Sequence, residues 1–256
     1  MLMPRVMPCL LLKDGSLVKT IKFKDPGYIG DPINAIRIYN EKEVDELIFL
    51  DITATIENKR PPFKVLSEIA SECFMPVAYG GGIRHLEDIQ EIFSLGIEKV
   101  VINTYAAEKP DFVRQAADKF GTQSIVASID VRKKLLGRYE VYTQGGRKGT
   151  GLDPVAYAIQ MQQQGAGEIM LTAIDRDGTQ EGYDIELLRK VTAAVDVPVI
   201  ACGGAGKVAD FCLAVKEGGA SACAAGSMVV YYGRNRAVLI NFPTRAELEA
   251  VLEGTY

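Results

Sequence analysis

Short apolar runs alternate with longer amphipathic segments along the whole chain. The runs are continuous and rich in Val and Ile, which is typical of parallel strands that are buried on both faces. Eight strands are predicted, near residues 5–11, 46–51, 75–79, 98–102, 124–130, 167–172, 198–202 and 220–224. Seven helices are predicted between them, over 32–44, 63–73, 86–95, 111–120, 154–164, 184–194 and 208–217.

The chain also matches itself at an offset of 122 residues. Segment 76–82 aligns with 198–204, segment 47–50 aligns with 169–172, and both copies of the first pair end in a glycine-rich turn. Four strand–helix units repeated twice predict a single α/β domain over residues 1–256, a (β/α)8 TIM barrel with half-barrels of about 1–122 and 123–256. An open doubly wound sheet is the alternative, but it does not naturally repeat four units twice.

Composition narrows the possible partners. The 29 basic and 33 acidic residues give a net charge of −4, which argues against a nucleic-acid partner. The five cysteines form no C-x-x-C pair and indicate buried free thiols in a reducing compartment.

Segment 1–12 is too short to cross a membrane, so we expect a cytoplasmic protein. His85, the only histidine, has no partners at ligand spacing, and we expect neither metal nor cofactor.

Glycine-rich turns follow two equivalent strands, at the point where backbone N–H groups can approach a phosphate. A second small segment follows one strand later in each half. The candidate phosphate-binding residues are Gly81, Gly82, Asn103, Thr104, Asp177, Gly178, Gly203, Gly204, Gly226 and Ser227. Two such sites would suit a substrate phosphorylated at both ends, while structural turns are the other interpretation.

Asp130 ends an otherwise apolar strand, and a partly desolvated carboxylate there can act as an acid or a base. A structural aspartate bonded to loop N–H groups is the alternative. The equivalent position in the first half is Leu11, so symmetry is broken. Asp51 and Lys19 are further candidates, because Lys19 lies in a long insertion that a loop closure would bring over the site.

Two insertions occupy equivalent places in the halves, at residues 13–31 and 133–150. They are predicted to be either mobile lids or plain surface loops. At the other ends of the strands lie four charges of alternating sign, which are Arg5, Glu46, Lys99 and Glu168. They are expected to form a ring of salt bridges around the bottom opening of the barrel, and stabilisation of the fold is sufficient to explain such a ring.

Together the motifs resemble those of HisF, the cyclase subunit of imidazole glycerol phosphate synthase, over nearly the whole chain. The matching segments are Pro8-Cys9-Leu10, Phe49-Leu50-Asp51-Ile52-Thr53, Gly80-Gly81-Gly82-Ile83-Arg84, Ile102-Asn103-Thr104, Gly151-Leu152-Asp153, Asp175-Arg176-Asp177-Gly178-Thr179 and Gly203-Gly204-Ala205-Gly206. The resemblance implies a two-phosphate substrate at the top face and a HisH-like glutaminase docked at the bottom. It also implies that ammonia from glutamine passes up the barrel, with Arg5, Glu46, Lys99 and Glu168 as its gate.

The same resemblance implies two catalytic aspartates, at the ends of strands one and five. Asp130 matches the second, whereas Leu11 replaces the first. Because leucine cannot transfer a proton, the loss is expected to cost on the order of 10² to 10⁴ in cyclisation rate. Lys19 and Asp130 remain as the candidate catalytic residues.

Three segments resemble a narrower group, the HisF paralogues of glycosyl amidation in surface-polysaccharide (O-antigen) synthesis, the WbuZ type. These segments are Leu10-Leu11-Leu12, Tyr28-Ile29-Gly30-Asp31-Pro32-Ile33-Asn34, and the ending from Tyr232-Gly233-Arg234 to Ala237-Val238-Leu239-Ile240-Asn241. That likeness implies a barrel that passes ammonia to a separate sugar amidotransferase ligase. Two alternatives stay open: a cyclase in which Asp51 or Lys19 compensates for Leu11, and a phosphosugar-binding scaffold without ammonia transfer.

Overall fold

The computed structural model describes residues 3–233 and 235–254, so Arg234 and the chain ends of the predicted domain lie outside the described residues. The first half contains β1 (Arg5–Lys13), β2 (Ser16–Ile21), β3 (Lys24–Gly30), α1 (Pro32–Glu41), β4 (Leu47–Asp51), α2 (Phe63–Glu72), β5 (Val77–Gly80), α3 (Leu86–Ser94), β6 (Lys99–Ile102), α4 (Thr104–Glu108) and α5 (Asp111–Phe120). The second half contains β7 (Ile125–Lys133), β8 (Tyr139–Thr143), β9 (Lys148–Gly149), α6 (Pro154–Gln163), β10 (Glu168–Ala173), α7 (Ile185–Thr192), β11 (Val199–Cys202), α8 (Val208–Lys216), β12 (Ala222–Ala225), α9 (Ser227–Val230), β13 (Tyr231–Tyr232), β14 (Ala237–Val238) and α10 (Arg245–Leu252). Short 3-10 turns cover Thr122–Ser124 and Leu135–Gly137.

Eight parallel strands close into a barrel, which confirms the predicted (β/α)8 fold. The strands pair in the order β1-β4-β5-β6-β7-β10-β11-β12, and β12 pairs again with β1. The halves meet at two junctions, β6 with β7 over three residue pairs and β12 with β1 over four, and both are parallel. Since no edge strand of the barrel is left unpaired, the two halves form one continuous sheet.

Alternating side chains along each strand divide the core into two parts. In β1, Val6, Leu10 and Leu12 pack outward against the helices, while Met7 and Cys9 belong to a separate cluster inside the barrel. The same period of two holds around the barrel, because successive side chains of a strand point to opposite faces. One strand therefore contributes to the outer core and to the barrel axis at the same time.

The repeat is also visible in how helices begin. Asp88 in α3 accepts backbone N–H groups of Arg84 and His85, and Asp210 in α8 accepts those of Gly206 and Lys207. Both carboxylates are almost fully buried. Each one satisfies donors that the first turn of a helix leaves unpaired, directly after a glycine-rich turn. These caps fix the turns that line the top of the barrel.

The two insertions are β-hairpins rather than irregular loops. β2 pairs with β1 and β3 pairs with β2, and β8 extends antiparallel along β7. Sequence analysis missed these strands, the short helices α4 and α9, and helix α10, which packs against α8. It also made α1 too long, because Glu43 has a φ of 50° and turns the chain. Among the described residues, no helix is long and apolar enough to span a membrane.

The two buried capping aspartates, Asp88 and Asp210, are expected to stabilise the folded chain by a measurable amount. Asp210→Ala leaves two backbone donors without their acceptor, and we expect the free energy of unfolding to fall by about 1–3 kcal/mol. Denaturant unfolding of the purified chain measures this, with exposed Asp196→Ala as the matched control. Equal stabilities of the two variants would contradict the capping role.

Candidate functional site

A cavity of about 150 Å³ opens at the carboxyl ends of the barrel strands. It is lined by every residue that the sequence nominated for the top face. These are Leu11, Lys19, Asp51, Gly81, Gly82, Asn103, Thr104, Asp130, Asp177, Gly178, Gly203, Gly204, Gly226 and Ser227. The parallel register brings these residues together from all parts of the chain, as expected for the top of a (β/α)8 barrel.

At positions that correspond between the two halves, the cavity wall is polar in the second half and apolar in the first. In the second half, Asp130 lies beside Thr172 in the β7–β10 register. In the first half, Leu11 lies beside Leu50 in the β1–β4 register. Leu50 and Thr172 are 122 residues apart, which establishes Leu11 as the counterpart of Asp130. Thus a carboxyl group beside a hydroxyl in one half is a pair of hydrocarbon side chains in the other.

Asp130 is only 9% exposed. Burial and the nearby charge of Asp177 raise the pKa of Asp130 to about 7, and a hydrogen bond from Thr172 offsets a part of this shift. A carboxyl group with such a pKa exchanges its proton near neutral pH, which suits general acid or base chemistry.

The first insertion delivers Lys19 to the cavity. Its ammonium group lies 3.5 Å from Asp177, and Asp177 also accepts a hydrogen bond of 3.0 Å from Thr20. Burial lowers the pKa of Lys19, but the charge of Asp177 and other neighbours outweighs it, so the pKa is raised and the group stays charged. The backbone N–H of Lys22 donates to the Asp177 carbonyl at 2.9 Å, which fastens this hairpin over the cavity.

Two of the nominated aspartates are engaged in hydrogen bonds. Asp51 accepts from the backbone and hydroxyl of Thr53 and from the backbone of Ala54. It therefore organises the turn after β4. Asp177 lies four residues beyond the end of β10 and holds Lys19 and Thr20, so its carboxylate shapes the cavity wall through those partners.

The first-half phosphate candidates are largely satisfied by the protein itself. The Gly82 N–H donates to Thr55, the Asn103 amide donates to the Ser128 carbonyl, and the Thr104 hydroxyl donates to Asn103. Thr104 also accepts from the backbone of Gln144, at the tip of the second insertion. A Cβ on Gly81 would lie 2.7 Å from the Asp51 carbonyl oxygen, so this turn requires glycine for close packing.

The second-half candidates lie next to positive charge. A Cβ built on Gly226 would collide with the Lys19 ammonium group. Arg236 donates to the Ser227 hydroxyl and to the Gly178 carbonyl. Sequence analysis missed Arg236, because it lies in the β13–β14 hairpin, beyond the last barrel strand and outside the repeat.

At the opposite end of the barrel, the four predicted charges form a closed ring of salt bridges. Arg5 contacts Glu46 and Glu168, and Lys99 contacts Glu46 at 3.0 Å and Glu168 at 3.1 Å. Burial lowers the pKa of Arg5, but the charges of Glu168 and Glu46 outweigh this and raise it. Two positive and two negative groups balance, as buried charges require.

Between the ring and the cavity lies a layer of apolar side chains. Met7, Ile48, Met170 and Ile200 fill the barrel axis and are at most 2% exposed. The cavity reaches down to Cys9, Val101, Cys202 and Ala224 above them. The axis therefore passes from charge through hydrocarbon to the cavity.

The cysteines and the single histidine lie apart from any metal-binding group in the described part of the chain. All five cysteines are free; Cys9 and Cys223 are buried, but the other three are only half-buried, so the expectation of buried thiols was wrong for them. Among the described residues, no three His, Cys, Asp or Glu side chains form a group that could hold a metal ion. His85 precedes α3 and donates its backbone N–H to Asp88.

Comparisons with known proteins agree with this geometry. The model of the family described as "Histidine biosynthesis protein" matches residues 5–235. The chain is 53% identical over 245 residues to "Putative imidazole glycerol phosphate synthase subunit hisF2" of Pseudomonas aeruginosa, covering 96% of this chain and 98% of that protein. It is 47% identical to a protein of Leptospira interrogans named "Putative imidazole glycerol phosphate synthase subunit HisF" over 252 residues, covering 98% of this chain and 99% of that protein. It is 45% identical to "Imidazole glycerol phosphate synthase subunit HisF" of Alkaliphilus metalliredigens over 231 residues, covering 90% of this chain and 92% of that protein.

The raised pKa of Asp130 predicts a pH-dependent stability. A folded pKa of about 7 against an ordinary value of 3.8 means that the native state holds this proton more tightly than the unfolded chain does. The contribution is therefore complete below about pH 4, and stability relative to Asp130→Asn falls by up to about 1.4 kcal/mol per pH unit as the pH rises towards 7. Denaturant unfolding of both chains between pH 4 and pH 8 measures the difference. A difference that is constant with pH would contradict the shifted pKa.

Proposed function

This chain belongs to the histidine biosynthesis protein family as a HisF-like subunit, and we propose that it receives ammonia from a HisH-like glutaminase. The glutaminase docks at the bottom of the barrel, where the strands begin. Phe74 is 88% exposed there, in the segment that leads from α2 into β5. An exposed aromatic side chain at the end of the barrel where the strands begin is the kind of anchor that partner proteins bury.

The single observation that carries the proposal is the closed ring of Arg5, Glu46, Lys99 and Glu168 on the barrel axis. A stability role alone does not require two acids and two bases to meet at an opening. Opening of the Lys99 bridges would expose the apolar layer above, and the balanced charges disfavour the entry of ions. The ring thus acts as a gate for a small neutral molecule.

The apolar layer makes this passage selective. Ammonia is neutral and small, whereas ammonium would lose its hydration among Met7, Met170 and their neighbours at great cost. Methionine side chains have three rotatable bonds and adapt to irregular space. We infer that side-chain rotations in this layer let ammonia reach the cavity.

The cavity favours transfer of ammonia to an acceptor over cyclisation on this chain. Asp130 is placed as an acid or base in the second half, whereas Leu11 and Leu50 occupy the equivalent pair of positions in the first half. We propose that a separate ligase takes the ammonia to amidate a nucleotide sugar in surface-polysaccharide synthesis. A phosphorylated small molecule would bind at Gly203, Gly204, Gly226 and Ser227, and a second phosphate at Gly81, Gly82, Asn103 and Thr104.

A second candidate function is cyclisation itself, as in imidazole glycerol phosphate synthase. The observation that favours it is the buried pair of Lys19 and Asp177, which lines the same cavity as Asp130. A charged lysine in this position can donate a proton where Leu11 cannot. The two functions differ in the rate of cyclisation with ammonium salt.

The gate is tested with the purified barrel and its HisH-like glutaminase. Mixing should raise glutamine hydrolysis, and Lys99→Met should leave complex formation intact while changing this stimulation. Without Lys99, Glu46 and Glu168 share Arg5 alone, and a change of about 1.4 kcal/mol in a barrier alters a rate about tenfold. Lys64→Met, on the exposed start of α2, is the matched control.

Two results would count against the gate. If Lys99→Met and Lys64→Met stimulate the glutaminase equally, the ring serves stability only. If mixing the unmodified proteins changes no rate, the scaffold without ammonia transfer is the better description.

Replacing Leu11 and Leu50 by polar residues is expected to increase cyclisation activity. Leu11→Asp with Leu50→Thr recreates the Asp130–Thr172 arrangement in the first half, and a second acid or base is worth about 10² to 10⁴ in rate. We expect ammonium-dependent cyclisation of the HisF substrate to increase by at least about tenfold. Leu11→Asn with Leu50→Thr is the control that adds polarity without a carboxyl group, and equal activity of both variants would refute the interpretation.

A further inference from the structure

The β13–β14 hairpin reaches back over the second half of the cavity through Arg236. This residue has a φ of 51° and stands in the turn of the hairpin. Its guanidinium lies 4.7 Å from the centre of the Tyr231 ring. It donates to the Gly178 carbonyl at 3.1 Å and to the Ser227 hydroxyl at 3.3 Å. One side chain therefore joins the loop after β10 to the segment after β12.

Arg236 carries a charge that no acid neutralises in the described part of the chain. Its partners there are a carbonyl, a hydroxyl and an aromatic ring. Lys19 is a second cation of this cavity and lies against Gly226, and among the described residues it forms one salt bridge, the 3.5 Å contact with Asp177. Arg236 and Lys19 contribute two positive charges against the carboxylate of Asp177. Asp130 lines the same cavity, but its pKa is raised to about 7, so near neutral pH it adds only part of a second negative charge and the balance favours an anion.

The Ser227 hydroxyl supplies the second observation. It is 4% exposed and lines the cavity. A hydroxyl has one proton to donate, and because Ser227 accepts from Arg236, its proton is free to point elsewhere. Within residues 3–233 and 235–254, no acceptor takes that proton. A buried donor without an acceptor is costly, so a ligand oxygen is the expected partner.

We propose that Arg236 is a positioning residue that sets Ser227 to donate to the phosphate of a sugar-phosphate monoester. The inference rests on the phosphate binding in the proposed function and assigns its second-half site. The guanidinium holds the hydroxyl oxygen, the hydroxyl proton meets a phosphate oxygen, and Lys19 supplies charge from the opposite side. A phosphate dianion fits the two cations better than a neutral sugar hydroxyl does.

The first half has no equivalent device. The hydroxyl of Thr104 donates to Asn103 and accepts from Gln144, so it has no proton left for a ligand. Arg84 is turned to Asn58 and to the Thr55 carbonyl. We therefore expect a ligand with one phosphate to bind with that phosphate at Ser227.

Isothermal titration with ribose 5-phosphate and with inorganic phosphate tests the proposal. Arg236→Ala and Ser227→Ala should each weaken binding about tenfold or more, as expected for a charge-assisted hydrogen bond. Binding of ribose, which lacks the phosphate, should differ little among the variants. Arg245→Ala is the control, since Arg245 is exposed on α10 and its one salt bridge among the described residues is with Glu249.

The double variant distinguishes positioning from simple charge. If Arg236 acts through Ser227, Arg236→Ala with Ser227→Ala binds no more weakly than the weaker single variant. Losses that multiply, or unchanged binding by Arg236→Ala, would overturn the proposal. Arg236→Lys keeps the positive charge but cannot contact both Gly178 and Ser227. Full binding of the phosphate ligands by this variant would also overturn the proposal. The same variant replaces Arg236→Ala in the test if Arg236→Ala does not fold.

The proposed ammonia transfer is tested by a separate measurement. If the unmodified chain binds neither phosphate ligand at millimolar concentration, the subsite is refuted. Stimulation of the glutaminase by the same preparation then decides independently whether ammonia transfer stands.

Discussion

The fixed alternation of side chains along the barrel strands is the constraint on which every part of this site depends. In β1, the inward positions run from Arg5 through Met7 and Cys9 to Leu11. The same alternation holds in β10, from Glu168 through Met170 to Thr172. A slip of one residue would turn each of these side chains towards the helices. Charge ring, apolar layer and cavity are therefore stacked on one axis by register alone.

The duplication makes the broken symmetry interpretable. If the halves were unrelated, a leucine in a cavity wall would carry no information. Because Leu11–Leu50 and Asp130–Thr172 occupy the same register positions, the first half has an apolar pair where the second has an acid and its hydrogen-bond donor. The remaining parts of the cavity, including Lys19 and both glycine turns, are retained. The change thus affects proton transfer and leaves the space for a ligand.

Sequence patterns were sufficient for the barrel because its strands are continuous apolar runs and its repeat is regular. They also placed the ring and the cavity residues, since these stand at strand ends. The hairpins 16–30 and 139–149 escaped prediction because polar residues interrupt their strands, so that no continuous apolar run marks them even where the side chains are buried. Arg236 escaped because it lies outside the repeat and because one of its partners, Gly178, is 58 residues away in the sequence. The raised pKa of Asp130 depends on burial and on Asp177 across the cavity, which no local pattern records.

The central claim is that this barrel accepts ammonia at its base but does not itself close an imidazole ring. The most direct measurement follows the nitrogen of amide-labelled glutamine in a mixture of barrel, glutaminase and the phosphoribulosyl carboxamide substrate of HisF. The account predicts that glutamine is hydrolysed at the stimulated rate while the label is recovered as ammonia. Label appearing in the imidazole product at the rate of hydrolysis would contradict it.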